Sequence, residues 1–371
     1  MPEKIKILMG IPSPKLKMGG PTTHLPYLVK HFENNIDFDI RTFEFGSKRD
    51  GGSQIHNKEG MVTKVLNTLG TFSRFVCHVI LYRPDIIHIN TAFDRKTVLR
   101  DIPFSIFCFL FGRKLIFKIH GSSNLIHSRS RIYRYLIKLF FLGASKVGVL
   151  SDIERKEFIE HFGNVHKLIV VKNIVSGKTI TDKHFFSKIP DKTYALFVSR
   201  IIEGKGLEDA INSLPLILKT SPEFVLIVAG DGPELRNCMD LAKEKDLNNS
   251  IHWLGYISNN EIPALILSSD IFLFLSHLPE GMPMALVEAL KYGIPVITTK
   301  VRFALNYLKD RNNCLFIEAG DINDISEKIN LILTDIDLQN KMKMQNPKLA
   351  EYFNSEKVGT EFEMVYRNMI N

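Results

Sequence analysis

The sequence lacks any apolar run long enough to cross a bilayer. The longest candidate, Ile102 to Phe111, is about half of the ~20 residues that a spanning helix needs. Met1-Pro-Glu-Lys-Ile-Lys6 has little of the apolar core of a signal peptide and leads directly into a strand pattern, so export is not expected. Cysteine is sparse. Cys77, Cys108, Cys238 and Cys314 are far apart and form no Cys-x-x-Cys pair, which speaks against a zinc site or a dithiol motif and leaves reduced, mostly buried thiols. Acidic residues are scarce in the first half. Residues 1–175 hold 27 Lys and Arg against 14 Asp and Glu, whereas the remainder holds 21 against 26. Between Thr97 and Leu150, nine basic residues face the single acid Asp101. The first half is therefore expected to face something anionic.

What is present is a folded chain of 371 residues, longer than one ordinary core and suited to two domains. Short apolar runs alternate with helical patterns. Ile5–Met9, Asp85–Asn90, Leu115–His120, Lys146–Leu150 and Lys167–Lys172 read as buried strands, each followed by a loop and a helix. The polar stretch Gly177–Asp191, closed by Pro190, reads as a linker. A second series follows: Tyr194–Ser199, Phe224–Ala229, Ile251–Leu254, Ile271–Ser276, Pro295–Thr299 and Cys314–Ile317. The tail from Asp321 reads as helices. This alternation predicts an α/β protein with two doubly wound parallel sheets, whose ligands bind outside the carboxyl ends of the strands.

Chemistry should then lie in the loops after the strands, and two loops stand out. After Tyr194–Ser199 come Arg200 and Lys205 beside Gly204 and Gly206, with a helix starting close to Leu207. A planar guanidinium and a compact ammonium suit a diphosphate, although two solvated loop cations would look the same in isolation. After Ile271–Ser276 comes Pro279-Glu280-Gly281-Met282-Pro283, with Glu288 further on. Pro283 fits the first turn of a helix, which would leave the Gly281 and Met282 amides as an anion site at its positive end. Glu280, just before that helix, and Glu288, about a turn and a half inside it, suit sugar hydroxyls, the first at a hexose and the second at a ribose.

These two segments resemble the signature of glycosyltransferase family 4, a Glu-x7-Glu segment preceded by an Arg and Lys pair after the domain's first strand. Gly230-Asp231-Gly232-Pro233, Leu254-Gly255-Tyr256, Val171-Lys172-Asn173, Gly19-Gly20 and Lys118-Ile-His120-Gly121 extend the resemblance over roughly Ile5 to Ala350. The resemblance implies a GT-B architecture: two Rossmann-like domains facing a cleft, an acceptor-binding domain over 1–180, a sugar-nucleotide domain over 181–350, and a C-terminal helix over 351–371 crossing back to the first domain. It implies that Arg200 and Lys205 neutralise the donor diphosphate. Glu280, with the Gly281 and Met282 amides ahead of Pro283, would orient the transferred sugar, and Glu288 would bind the ribose. Gly230 and the Gly255-Tyr256 loop would border the nucleotide, Gly19 and Gly20 would close over the phosphates, and His120 would meet the sugar from across the cleft. Asn173 would contact the donor, although Ile174 follows it where the family commonly has Gly. Pro21, directly after the two glycines, would limit the motion of their loop.

The implied activity is retaining transfer of a hexose or N-acetylhexosamine from a nucleotide-diphosphate sugar, expected to be a UDP-sugar. The acceptor is expected to be a lipid-linked glycan of a bacterial surface polysaccharide, and no cofactor or metal is expected. Asp37-Phe-Asp39 and Asp335-Ile-Asp337 are nominal metal-binding pairs, but both lie away from the inferred phosphate site. A GT-B sugar-nucleotide epimerase and a non-catalytic glycosyltransferase-like subunit are the alternatives. The segment Asn124–Gly143, in which Arg129, Arg131, Arg134 and Lys138 alternate with apolar residues, is either an ordinary surface helix or a patch for an anionic membrane. The latter would make the protein cytoplasmic and peripheral on the inner face of the cell membrane. No nucleic-acid partner is expected.

Overall fold

The computed structural model describes residues 3–12, 20–45, 61–122, 130–163, 166–175, 189 and 191–371. The chain divides into two compact units, one of Met1–Ser176 with Phe353–Asn371 and the other of Gly177–Tyr352. Most of the Gly177–Asp191 stretch, Pro190 included, lies outside the described residues, as do Gly19 and Arg129.

The first unit runs β1 (Ile5–Ile11), α1 (Gly20–Glu33), β2 (Phe38–Glu44), α2 (Met61–Tyr82), β3 (Ile86–Phe93), α3 (Arg95–Leu110), β4 (Lys114–Ser122), α4 (Arg131–Leu142), β5 (Ala144–Val149), α5 (Asp152–Phe162) and β6 (Leu168–Val170). Its sheet has the order β2-β1-β3-β4-β5-β6, and all pairings are parallel. β2 is a strand that the apolar runs did not reveal. Asp39, Arg41 and Glu44 interrupt its apolar residues, which an edge strand tolerates because one flank faces solvent. The chain reverses direction across the sheet between β1 and β3, the kind of position at whose carboxyl ends doubly wound sheets bind ligands.

Strand alternation splits this unit's apolar residues into two layers. Leu8, Ile87, Ile89, Leu115 and Phe117 pack with Phe75, Phe104, Phe140 and Phe158 of α2 to α5. On the other face, Ile7, Met9, Ile86 and Ile116 meet Leu25, Leu28 and Phe32 of α1. A late helix, α13 (Ser355–Ile370), supplies Val358, Phe362, Tyr366 and Met369 to the same layer. Polar contacts seat α13 as well. The Tyr366 hydroxyl is 2.5 Å from His88 Nδ1, His31 pairs with Glu363 at 2.6 Å, and Arg367 pairs with Asp37.

The second unit runs β7 (Thr193–Val198), α6 (Leu207–Thr220), β8 (Phe224–Ala229), α7 (Leu235–Glu244), β9 (Ile251–Gly255), α8 (Ile262–Leu267), β10 (Ile271–Phe274), α9 (Met284–Lys291), β11 (Val296–Thr299), α10 (Arg302–Tyr307), β12 (Leu315–Ile317), α11 (Ile322–Thr334) and α12 (Ile336–Ala350). The order β12-β11-β10-β7-β8-β9 is again parallel throughout. Its reversal falls between β7 and β10, the two strands whose following loops carry Arg200, Lys205 and Glu280. The core of one face joins Phe197, Leu226, Leu273 and Ile297 to Ile211 and Leu214 of α6 and Ile325 and Ile329 of α11.

Three local differences from the sequence reading bear on the site. Pro283 is the cap of α9 rather than part of its first turn, because its φ of −73° is combined with an extended ψ of 111°. The helix consequently begins at Met284, and the Gly281 and Met282 amides precede it. Glu288 is the fifth residue of α9, just over one turn in, and it is buried. Gly20 and Pro21 open α1, where proline's missing N–H costs nothing.

Candidate active site

In the second unit, the loops after β7 and β10 are tied to each other by side chains and backbone. Lys205 Nζ donates to Glu280 Oε1 in an ion pair whose two side chains are only 12% and 19% exposed. The Ser276 hydroxyl donates to the same carboxylate oxygen at 3.1 Å. The His277 amide donates to the Gly204 carbonyl at 2.8 Å, which fixes the two loops against one another. Gly206 makes this approach possible. Its φ is +80°, and a Cβ there would stand 2.1 Å from the Leu275 carbonyl oxygen. The Glu280 loop is held from behind by Arg302, which donates to the Pro279 carbonyl at 3.3 Å, and by the Phe303 amide, which donates to the Glu280 carbonyl at 3.2 Å.

The remaining loops at this end of the sheet join the same network. The Ile201 amide donates to the Asp231 carbonyl at 2.9 Å, and the Gly230 amide donates to the Gly255 carbonyl at 2.7 Å. Gly230 is required by close approach, since a Cβ would fall 1.9 Å from the Ser199 carbonyl oxygen. Arg200 and Tyr256 are both exposed at this edge. The structure thus brings Arg200, Lys205, Gly230, Gly255, Tyr256 and Glu280 to one end of one sheet, with Gly281, Met282 and Pro283 leading into α9 and Glu288 inside it. Ser276 and Arg302 escaped the sequence reading. Ser276 had only its place at the end of an apolar run as a signal, and Arg302 had none.

In the first unit, strand alternation places His88 and Asn90 of β3 and Lys118 and His120 of β4 on the face that α1 and α13 cover. His120 Nε2 lies 2.8 Å from Asn90 Oδ1, and His120 Nδ1 lies 3.3 Å from Nε2 of His24 on α1. Asn173, also buried, is a neighbour of the His120 ring. Lys118 donates to the Lys172 carbonyl at 2.5 Å and lies 4.8 Å over the Phe362 ring.

These groups share an unusual electrostatic setting. Burial holds the Lys118 ammonium well below its ordinary pKa, with Glu361 opposing. Burial likewise pushes down His24 and His120, and the nearby Lys118 adds to both shifts, while Asn173 works the other way at His120. His88 is brought to about 3 by burial and Lys118, with Asn90 opposing. The three imidazoles are therefore neutral near pH 7. His24 is the functional candidate that sequence reading missed, because its partnership with His120 spans 96 residues.

Among the described residues no group of three or more His, Cys, Asp or Glu side chains is arranged to hold a metal ion. Asp37 is engaged by Arg367, and Asp335 caps α12 by accepting from the Leu338 amide at 2.8 Å. Cys77 is exposed, and the other three cysteines are buried free thiols. No described helix is long and apolar enough to cross a membrane.

Comparison with known proteins extends this picture. Residues 179–349 match the family model described as Glycosyl transferases group 1. An uncharacterized glycosyltransferase of Methanocaldococcus jannaschii is 25% identical over 382 residues, which cover 95% of this chain and 96% of that protein. Among solved structures, sucrose-phosphate synthase of Thermosynechococcus elongatus matches 99% of both chains with a TM-score of 0.80 at 16% identity. HepE of Anabaena, solved in complex with UDP-glucose, matches 98% of this chain and 99% of its own with a TM-score of 0.72 at 18% identity. The two structural likenesses establish the GT-B fold. The family model thus lies over the second unit, and the Methanocaldococcus relative spans both units.

Proposed function

We propose that this chain is a retaining glycosyltransferase that moves a hexose or N-acetylhexosamine from a UDP-sugar to a glycan. The observation that carries the reading is the joining of Lys205 and Glu280 across the β7/β10 reversal, with Arg200 on the same loop as Lys205. A lysine has three donors, so Lys205 keeps one on Glu280 while others reach diphosphate oxygens. Arg200 completes the neutralisation. Glu280, anchored by Lys205 and Ser276, is left to accept from sugar hydroxyls, and Glu288 is assigned to the ribose. Gly19, Gly20, Gly230, Gly255, Tyr256, Gly281, Met282, Pro283 and Asn173 complete the donor-binding assignment, and His120 is the first-unit residue assigned to the sugar.

In this reading the C1–O bond to the diphosphate breaks as the acceptor oxygen attacks the same face, and the departing phosphate takes the acceptor's proton. The rate comes from positioning and from charge stabilisation by Arg200 and Lys205, without a divalent cation. The acceptor is a lipid-linked glycan of surface-polysaccharide assembly, met at the inner face of the cell membrane. Support for that face comes from α4 and the end of α3. Arg131, Arg134 and Lys138 are exposed beside Ile132 and Tyr135, and Phe109, Leu110 and Phe111 are each more than half exposed. The opposite side of α4, through Ile137 and Phe140, packs on the sheet as an ordinary helix does.

Thermal unfolding with a panel of UDP- and GDP-sugars tests the donor assignment. At a hundred times its dissociation constant a ligand adds about 2.7 kcal/mol, a shift well outside error. A rise in the midpoint with a UDP-sugar is expected. No rise with any member of the panel would remove the reading. Turnover of the donor without acceptor, giving an epimerised sugar nucleotide, would favour the epimerase instead.

A further inference from the structure

We propose that His24 is a positioning residue for His120, holding its imidazole neutral with a single proton on Nε2 and with Nδ1 capped by a hydrogen bond. The inference rests on the assignment of His120 to the sugar, but the ring contact itself is decided by atoms on α1, β3 and β4.

The chain of reasoning begins at Asn90. Its Nδ2 donates to the Gly10 carbonyl at 2.9 Å, a group that only accepts, so the amide cannot be turned round. Asn90 Oδ1 must then face His120 Nε2, at 2.8 Å. An oxygen that only accepts requires Nε2 to carry the proton. His120 Nδ1 is then a bare lone pair in the neutral ring, and the group 3.3 Å from it is His24 Nε2. Two lone pairs at that distance repel, so His24 carries its own proton on Nε2 and donates. This choice leaves His24 Nδ1 as the buried ring nitrogen with no hydrogen-bond partner among the described residues. An unpaired acceptor is the cheaper orphan; the opposite tautomer would bury an unpaired N–H instead. The depressed pKa of both rings, set by burial and Lys118, agrees with one proton on each.

The consequence for chemistry is specific. His120 has no lone pair at liberty, so it does not serve as a general base. What it offers a ligand is Nε2–H, released from Asn90 to donate to a sugar oxygen while His24 holds the ring at Nδ1. Because His24 sits at 0% exposure on the first turns of α1, the placement of that helix is coupled to the orientation of the ring.

The test uses nitrogen NMR of the full chain labelled at histidine, with His120 assigned by His120→Gln. Wild type should show His120 as the Nε2–H tautomer with Nδ1 at a hydrogen-bonded position. His24→Leu should move Nδ1 to the unbonded position, and His24→Gln, whose amide N–H can still donate, should return it. On the proposed activity, His24→Leu should lower kcat about tenfold with the donor KM changed less than twofold, and His24→Gln should recover most of the loss, as expected for a partner that orients a working group. An Nδ1–H tautomer in wild type, or an Nδ1 signal indifferent to His24→Leu in a folded protein, overturns the proposal. The wild-type spectrum decides even if His24→Leu fails to fold. Absence of any sugar transfer would count against the proposed function and leave the ring contact to the spectra.

Discussion

Replacing Lys205 by Ala removes a cation from the phosphate site and also strips Glu280 of its partner, so both the leaving group and the sugar-orienting carboxylate are affected. Arg200 is exposed and Lys205 is mostly covered, so the two substitutions should differ in their effect on stability but agree in their effect on rate. Arg200→Ala and Lys205→Ala are each expected to lower turnover at least tenfold, the equivalent of about 1.4 kcal/mol of transition-state stabilisation. Arg200→Ala should leave the unfolding midpoint unchanged. Steady-state rates beside circular dichroism of each variant check this, and near-normal turnover in either would contradict the diphosphate assignment. At this scale the sequence gives positions: Arg200, Lys205 and Glu280 stand at short offsets from strand ends, and the structure puts their loops at one end of one sheet, with Glu288 inside the helix that follows. Ser276, Arg302, Asn90 and His24 were not legible, because each acquires meaning only from a partner brought close by the sheet.

Elements carry a second kind of information. The buried strands were recognisable as apolar runs, but β2 was not, since its charged residues suit an edge, and the cap position of Pro283 depends on a ψ angle that spacing does not report. α4 has one face toward the core and one toward solvent. Ile137 and Phe140 face the core, and Arg131, Ile132, Arg134, Tyr135 and Lys138 face outward. Changing Arg131, Arg134 and Lys138 together to Gln should weaken binding to anionic vesicles at least tenfold at low salt, given about 1 kcal/mol for each basic residue near an anionic leaflet. Donor binding should be spared. Vesicle sedimentation measures the first and thermal shift the second. If wild type ignores anionic vesicles at low salt, a soluble acceptor replaces the lipid-linked one.

The whole molecule adds properties that no single element holds. The doubly wound topology was legible from the repeated alternation of runs, and the charge asymmetry from composition alone. The seating of α13 in the first unit was not readable from helical periodicity, because it rests on contacts such as His88 with Tyr366. Those contacts bury titratable groups and make stability depend on pH. An imidazole whose folded pKa lies below the unfolded value of 6.5 binds fewer protons in the native state. Its contribution is complete above about 6.5 and is lost as pH falls toward the folded value. His24, His88 and His120 all shift in this direction, so the urea midpoint should fall between pH 7.5 and pH 5. A midpoint that rises or stays level over that range would contradict the burial of three neutral imidazoles.

The central claim is that protein cations at the β7/β10 reversal, rather than a metal, carry the departing diphosphate. Release of UDP from a UDP-hexose in the presence of acceptor and excess EDTA tests it most directly, with wild type and Lys205→Ala measured side by side. Full wild-type turnover in EDTA, with at least a tenfold loss in folded Lys205→Ala, is the predicted result. Turnover abolished by EDTA and restored by magnesium or manganese, or undiminished in Lys205→Ala, would contradict it.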